Sequence, residues 1–173
     1  MSGGLHARLR AMTPDDWPAV ARIYAEGLAT GDASFETEPP SWDVWDAGHL
    51  KSCRTVAVSG EDGEEDVLGW AALSPVSTRC VYGGVGEVSV YVAERARGRG
   101  LGRTLLDRLV VDSEAARLWT LQAGIFPENE ASIRIHELCG FRMVGVRERV
   151  GKLAGRWRDT VLMERRSLTV GTD

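Results

Sequence analysis

Val88-Ser89-Val90-Tyr91-Val92 is followed, after four residues, by Arg97-Gly98-Arg99-Gly100-Leu101-Gly102. Three valines and a tyrosine in the first segment favour a strand. The second segment is a glycine-rich turn, and Leu105, Leu106 and Leu109 then recur at helical spacing. A turn that enters a helix leaves N–H groups without an intrahelical partner, at the positive end of the helix dipole. Because glycines also let a ligand approach the backbone closely, we predict that a pyrophosphate binds at this turn.

Other phosphate-binding loops share part of this pattern. The Arg-x-x-Gly-x-Gly spacing also fits Arg95 to Gly100, but the helical pattern starts directly after Gly102, which favours the later register. A P-loop would need lysine where Arg103 stands. The dinucleotide fingerprint is Gly-x-Gly-x-x-Gly, whereas residues 98–102 have the spacing Gly-x-Gly-x-Gly. A solvated loop that only caps the helix is the remaining alternative.

The rest of the chain predicts a single domain of mixed helices and strands. A length of 173 residues corresponds to about one domain, and we place its core at about residues 8–165. Thr13-Pro14 and Ser41 are typical of helix starts. The predicted order is βααβββαβαββ. Helices are predicted after Thr13, after Ser41, from the glycine-rich turn to about 118, and at 129–138. Strands are predicted at about 6–12, 55–59, 67–73, 86–93, 119–126, 143–150 and 158–164.

Composition and charge exclude several classes of protein. The chain is 43% hydrophobic and 27% charged, with a net charge of −4, which is ordinary for a globular domain. A mildly acidic balance argues against nucleic acid as a partner. The three cysteines have no metal-site spacing, so no metal is expected. No stretch reaches the ~18 apolar residues of a membrane span, and we expect a cytoplasmic protein without a membrane partner.

The turn resembles a known family. Arg97-x-x-Gly100-x-Gly102 after Val90-Tyr91-Val92 resembles the coenzyme A pyrophosphate loop of the GNAT N-acetyltransferases. Segments that resemble the phosphinothricin and methionine sulfoximine acetyltransferases of that superfamily are Phe35-Glu36-Thr37-Glu38-Pro39, Gly86-Glu87-Val88-Ser89-Val90-Tyr91-Val92, Asn129-Glu130-Ala131-Ser132-Ile133-Arg134 and Gly155-Arg156-Trp157-Arg158-Asp159. The resemblance covers residues 9 to 164 and implies the GNAT fold, a mixed, twisted α/β sheet with helices on both faces in a single domain.

The resemblance implies that acetyl-CoA is the co-substrate. The backbone of Val90, Tyr91 and Val92 would bind the pantetheine arm by strand-like hydrogen bonds. The pyrophosphate would lie on the loop residues Arg97, Gly98, Arg99, Gly100, Leu101 and Gly102. Asn129 and Ser132, at the start of the next helix, would also contact the coenzyme, whereas on the residues alone they are simple helix caps.

Glu87 matches the catalytic carboxylate of this family and would lie near the point where the central strands diverge. An α-amine is largely protonated at pH 7 and must lose a proton before it attacks a thioester. Glu87 could accept that proton, directly or through water. His136 is a candidate second base, although a helix histidine more often packs. On the residues alone, Glu87 would be read as a surface ion-pair partner.

The acceptor site is implied by Phe35, Arg79 and Tyr82, which match positions associated with substrate in this family. Arg79 would pair with a carboxylate or phosphinate. Ser77 departs from the family pattern, because the phosphinothricin enzymes carry a second basic residue there. The expected reaction is direct acetyl transfer to the amine of a small amino-acid-like acceptor such as phosphinothricin, methionine sulfoximine or methionine sulfone.

Two other functions remain open. An N-terminal acetyltransferase of peptides or proteins would need an open groove instead of a closed pocket. A non-catalytic sensor of coenzyme A would have no need of Glu87. The family resemblance also implies a homodimer.

Overall fold

The elements follow the predicted order. The computed structural model describes residues 7–60 and 64–172, so His6, in the first predicted strand, and residues 61–63, between the second and third predicted strands, lie outside the described residues. The helices are α1 (Trp17–Leu28), α2 (Trp42–Gly48), α3 (Leu101–Ala115) and α4 (Glu130–Leu138). The strands are β1 (Arg8–Ala11), β2 (Thr55–Ser59), β3 (Asp66–Pro75), β4 (Val85–Val92), β5 (Thr120–Ile125), β6 (Arg142–Leu153) and β7 (Arg156–Arg166).

Side-chain caps are present at the starts of α2 and α4 and in the turn before α1. Thr13 and Asp16 form a capping box in the 3₁₀ turn before α1, and Asp16 accepts the Thr13 N–H at 2.8 Å. Ser41 Oγ accepts the Val44 N–H at the start of α2. Asn129 Oδ1 accepts the Ser132 N–H at the start of α4. Each cap satisfies a donor that has no intrahelical acceptor.

The strands form one mixed sheet in the order β1-β2-β3-β4-β5-β7-β6. Among the described strands, β4 and β5 are the parallel pair, and the other pairs are antiparallel. The parallel pairing runs from Val85↔Thr120 to Glu87↔Gln122 and stops there. Residues 88–92 of β4 pair with β3 and with no other described strand. The two central strands therefore diverge after Glu87 and leave one edge of β4 without a ladder partner in this sheet.

Helices cover both faces of the sheet. Trp70 of β3 packs against Tyr24 of α1 at 5.6 Å and against Trp45 of α2 at 5.7 Å between ring centroids. The neighbouring Gly69 faces Leu105 of α3, and a Cβ at position 69 would lie 2.9 Å from Leu105 Cδ1. Successive residues of a strand point to opposite faces, so α1 and α2 cover one face and α3 covers the other.

Candidate active site

A cleft of about 790 Å³ opens between β4 and β5 where the two strands diverge. Its walls come from the loop after α1, from β4, from β5 and α4, and from β6 and β7. The predicted site residues that line it are Phe35, Glu87, Val90, Tyr91, Val92, Arg97, Gly102, Asn129, Ser132 and His136. Those that do not line it are Arg79, Tyr82, Gly98, Arg99, Gly100 and Leu101. Residues more than 100 positions apart in sequence thus meet in one cavity.

Glu87 lies at the point of divergence. Its Oε2 accepts a hydrogen bond from Gln122 Nε2 at 2.8 Å. Gln122 orients the carboxylate and leaves lone pairs on it for a substrate proton. No local sequence pattern predicts this partner, because the pairing of β4 with β5 brings together residues 35 positions apart.

His136 is a buried residue of α4 that lines the cleft. The side chain is 3% exposed, and its Nδ1 lies 2.8 Å from the Ser132 carbonyl oxygen. A carbonyl only accepts, so Nδ1 carries the proton. Burial lowers the pKa of His136, which favours the neutral ring. Within the described part of the chain the buried Nε2 has no hydrogen-bond partner, so its lone pair is unused.

The glycine-rich turn has the conformation that its sequence predicts. Gly98 and Gly100 have φ values of +74° and +79°, in the left-handed region that glycine adopts readily. Gly100 caps α3, and the first helical bond runs from the Thr104 N–H to the Gly100 carbonyl at 3.1 Å. The N–H groups of residues 101–103 therefore have no intrahelical acceptor. Such an N-terminus suits a pyrophosphate.

Two arginines distinguish the alternative registers of this turn. Arg95 is engaged elsewhere: its guanidinium donates to Asp66 at 2.6 Å and to the Val67 carbonyl at 3.1 Å. Arg97 lines the cleft and donates from Nε to the Val92 carbonyl at 3.2 Å. The contacts favour the register from Arg97 to Gly102.

Asn129 joins α4 to the loop after α1. Besides capping α4, it donates from Nδ2 to the Asp32 carbonyl at 3.2 Å. The capping interpretation of Asn129 is thus correct in geometry. The same side chain lies at the cleft, so capping and coenzyme contact are compatible for this residue.

Arg158 holds the same loop from the other side. Its guanidinium donates to the Gly31 carbonyl at 2.9 Å, to Asp32 at 2.8 Å and to Glu128 at 3.1 Å. It also lies 4.1 Å from the centroid of the Phe126 ring. These contacts join distant parts of the chain, and no local sequence pattern predicts them. The loop that carries Phe35 is therefore pinned to β7 and to the β5–α4 connection.

Phe35 lines the cleft between β5 and β6. Its ring meets Phe126 edge to face at 4.9 Å between centroids. It also lies against Gly151 of β6, where an added Cβ would come within 2.7 Å of the Phe35 ring. A side chain at position 151 would have to displace the ring. The glycine therefore permits the close approach of Phe35 to β6.

Arg79 and Tyr82 lie outside the cleft wall. They belong to the exposed connection between β3 and β4, where the Arg79 guanidinium is 5.6 Å from the centroid of the Tyr82 ring. The Ser77 hydroxyl accepts the Arg79 N–H at 3.1 Å. Of the three predicted acceptor residues, the structure brings only Phe35 into the cleft.

Tyr91 lies in the cleft wall between aromatic neighbours. Its ring stacks on Trp70 at 4.9 Å and meets Tyr24 at 4.7 Å between centroids. Burial raises the pKa of Tyr91, so the phenol keeps its proton. Tyr91 can therefore donate a hydrogen bond but does not serve as a base.

Metal-ligand clusters and membrane spans are both absent from residues 7–60 and 64–172. No three His, Cys, Asp or Glu side chains in these ranges lie close enough together to hold a metal ion. No helix in the same ranges is both long enough and apolar enough to cross a membrane.

Known proteins share this architecture. The model of the acetyltransferase (GNAT) family matches residues 17–141. A phosphinothricin N-acetyltransferase of Alcaligenes faecalis is 39% identical over 165 residues, which are 91% of this chain and 81% of that protein. An L-methionine sulfoximine/L-methionine sulfone acetyltransferase of Pseudomonas aeruginosa is 29% identical over 163 residues, which are 92% of this chain and 94% of that protein. A crystal structure of a phosphinothricin acetyltransferase from Sinorhizobium meliloti in complex with AcCoA superposes with a TM-score of 0.83 at 30% identity, over 96% of this chain and 91% of that one.

Proposed function

This chain belongs to the GNAT family and is an acetyl-CoA-dependent N-acetyltransferase, and we propose that its acceptor is the amine of a small amino acid of the phosphinothricin, methionine sulfoximine or methionine sulfone type. The observation that carries this proposal is the position of Glu87. It lies where β4 and β5 diverge, in the wall of a cleft that Phe35 also lines. A proton acceptor at that point suits an amine that must be deprotonated before attack.

The free edge of β4 supports the placement of acetyl-CoA. Residues 88–92 pair with β3 on one side and, among the described strands, have no ladder partner on the side of β5. Their unpaired backbone groups would bind the pantetheine amides in the manner of an added strand. The pyrophosphate would then lie on the turn from Arg97 to Gly102, where N–H groups and the helix dipole meet.

The proposed reaction is a direct attack within a ternary complex. Glu87 accepts a proton from the acceptor ammonium, and the free amine attacks the thioester carbonyl. The backbone N–H groups of Val90 to Val92 are the candidates to stabilise the oxyanion. The attack forms the C–N bond of a tetrahedral intermediate. Its collapse restores the C=O bond and breaks the C–S bond, and the second proton of the amine nitrogen passes to the departing thiolate. His136 lines the cleft, and its Nε2 has no hydrogen-bond partner among the described residues, so this nitrogen is a second candidate acceptor for the amine proton.

Cys139 gives no support to a covalent acyl-enzyme. It does not line the cleft. Burial and the neighbouring Asp107 raise the pKa of its thiol to about 12. The nucleophilic form of cysteine is the thiolate, so this thiol stays unreactive near neutral pH.

The pinned loop supports a small acceptor over a peptide. Arg158 and Asn129 hold Asp32 from two sides, and Phe35 packs on both Phe126 and Gly151. An extended peptide would need an open groove through this end of the cleft. The packing of this loop against β6 and the β5–α4 connection therefore favours a compact acceptor.

Assembly as a homodimer and a cytoplasmic location complete the proposal. Exposed apolar side chains lie on the edge strand β6 and the adjoining β7, among them Met143, Val146 and Trp157, each about half exposed. A second copy would cover this surface. Cys53, Cys80 and Cys139 are unpaired, which suits a reducing compartment.

Thiol release from acetyl-CoA tests the proposed function. The assay compares phosphinothricin, methionine sulfoximine, methionine sulfone, a peptide with a free N-terminus and a mixture without acceptor. We expect turnover with at least one of the small amino acids and little with the peptide. Turnover with the peptide alone would favour an N-terminal acetyltransferase. Calorimetric binding of acetyl-CoA without turnover on any acceptor would favour a sensor.

A further inference from the structure

Arg147 contributes a positive charge to the cleft that the proposed reaction does not use. It lies on β6 and lines the cleft together with Glu87 and Phe35. Its register partner on β7 is Thr160, which lines the same cavity. Directly opposed residues of antiparallel strands have their side chains on one face, so Arg147 and Thr160 point to the same side of the sheet.

Strand registers place Arg147 on the same face as Glu87. Glu87 pairs with Gln122 and contacts it through the side chains. Gly124, two residues along β5, pairs with Leu162 of β7. Thr160 lies two residues before Leu162, and Arg147 pairs with Thr160. Because side-chain direction repeats every second residue, this sequence of pairings puts the carboxylate and the guanidinium on one face.

An irregularity in β6 lies between Arg147 and the part of the strand that contacts Phe35. The register shifts between Arg147 and Gly151, which pairs with Arg158. Asp159, between the two pairing positions on β7, accepts the Arg149 N–H at 2.7 Å. Gly151 lies directly against the Phe35 ring. Arg147 and Gly151 thus line the cleft from one strand, which contacts Phe35 at Gly151, whereas Arg97 belongs to the glycine-rich turn.

The guanidinium of Arg147 is uncommitted. It makes no hydrogen bond or ion pair with any residue in the ranges 7–60 and 64–172. Asp32 and Glu128, the other carboxylates at the cleft besides Glu87, are both engaged by Arg158. An unpaired guanidinium in a cleft wall is suited to a planar anion, which it can bind through two parallel hydrogen bonds.

We propose that Arg147 binds the carboxylate of the acceptor while Glu87 receives the proton of its amine. This inference rests on the proposed function and restricts its substrate class to amino acids with a free carboxylate. Arg147 also supplies a cation to an acceptor site that has Ser77 where the phosphinothricin enzymes have a basic residue. Carboxamides and peptide N-termini lack the anion and are expected to be poor acceptors.

Acetylation of L-methionine sulfone and of its carboxamide tests the assignment in the wild type, in Arg147→Met and in Arg149→Met. Arg149 is an exposed arginine on the same strand that does not line the cleft, so its variant is a matched control for charge. Loss of a charge-assisted pair typically costs about 10- to 150-fold in affinity. We expect Arg147→Met to lower kcat/KM for the amino acid by roughly that factor and to leave the carboxamide nearly unchanged. The KM for acetyl-CoA should not move.

The outcomes separate this inference from the proposed function. The preference is the ratio of kcat/KM for methionine sulfone to kcat/KM for its carboxamide. If this ratio is equal in Arg147→Met and the wild type, the role of Arg147 is overturned and the proposed function stays intact. Equal losses in Arg147→Met and Arg149→Met would also overturn it, since a general charge effect would then be responsible. A wild type that acetylates neither these compounds nor any other small amino acid would overturn both. Calorimetry with acetyl-CoA on each variant confirms that the protein is folded.

Discussion

Gln122 Nε2 donates a hydrogen bond to Glu87 Oε2 over 2.8 Å, and these residues form the last pair that joins β4 to β5. The same register pair thus ends the parallel ladder and orients the proposed base. One carboxylate oxygen is held by the amide, and the other is available to an amine or a water molecule. The divergence of the strands and the position of the base therefore have a common structural origin.

Glu87→Gln is expected to lower kcat by roughly 10²- to 10⁴-fold near neutral pH, because a general base of this kind contributes that much. The glutamine side chain retains an oxygen that can accept the Gln122 N–H, so the fold and acetyl-CoA binding should persist. The rate should recover in part at high pH, where more of the acceptor amine is free. Steady-state kinetics across pH measure this.

Glu137→Gln is the control for Glu87→Gln. Glu137 is an exposed carboxylate of α4 outside the cleft, and its loss should leave kcat unchanged. Wild-type turnover in Glu87→Gln would assign Glu87 a structural role.

Gly100→Asp is expected to weaken acetyl-CoA binding by roughly 10- to 100-fold, because it places a negative charge near the pyrophosphate. Gly100→Asn is the matched uncharged variant, and both residues tolerate the left-handed conformation of this position. No atom of the described residues lies within 4 Å of an added Cβ there, so the fold should survive both changes. Calorimetry that finds equal affinity for the Asp and Asn variants would contradict an anion site at this turn.

His136 is expected to make the protein less stable in mild acid. Burial lowers the pKa of His136 in the folded state, so the unfolded chain binds a proton there at a pH where the folded chain does not. The pKa of His136 in the unfolded chain is about 6.5, and above that pH its contribution to the free energy of unfolding is fully present. The contribution is lost as the pH falls from that value toward the lower pKa of the folded state.

His136→Asn removes this group, and its side-chain N–H can still donate to the Ser132 carbonyl. The variant should lose less unfolding free energy between pH 7 and pH 5 than the wild type does. Urea denaturation at both pH values measures the difference, and contributions from other groups such as His49 cancel in the comparison. Parallel losses in the two proteins would show that His136 is not the group responsible.

Arg158→Met is expected to lower the unfolding free energy by roughly 1–2 kcal/mol, because the guanidinium loses hydrogen bonds to charged partners. The KM for the acceptor should rise, since Arg158 holds the loop that carries Phe35. Arg156→Met, an exposed neighbour on β7, controls for the loss of a charge. An unchanged acceptor KM in Arg158→Met would mean that the loop needs no such anchor.

Arg79→Ala tests the acceptor residue implied by family resemblance. If Arg79 moves from Tyr82 to the substrate, the acceptor KM should rise by about 10-fold or more, as for a lost charge-assisted bond. The acetyl-CoA KM should stay the same. Identical acceptor kinetics would remove Arg79 from the site, in keeping with its exposed position outside the cleft.

Ser77→Lys tests the departure from the family pattern at the same connection. An added cation should improve the use of phosphinothricin relative to methionine sulfone, because the phosphinate is charged and the sulfone is not. The ratio of kcat/KM values for the two acceptors measures this preference. A constant ratio would show that position 77 does not set it.

Local sequence signals determined the order of the elements and the position of the glycine-rich turn. Thr13, Ser41 and Asn129 cap helices through contacts with residues three positions away, and such contacts depend on short-range spacing alone. The left-handed glycines 98 and 100 likewise follow from their residue type. The fold class was predictable because these signals are local and agree with one another.

Only the tertiary structure decided which side chains meet around the cleft. Gln122 reaches Glu87 across 35 positions and Arg158 reaches Asp32 across 126, and neither separation is encoded in a local pattern. Arg147 stands on the face of Glu87 because four strands pair in a particular register, and a slip of one residue would turn it to the opposite face. Register depends on burial and pairing across the whole sheet, so the acceptor side of the site could not be read from the sequence.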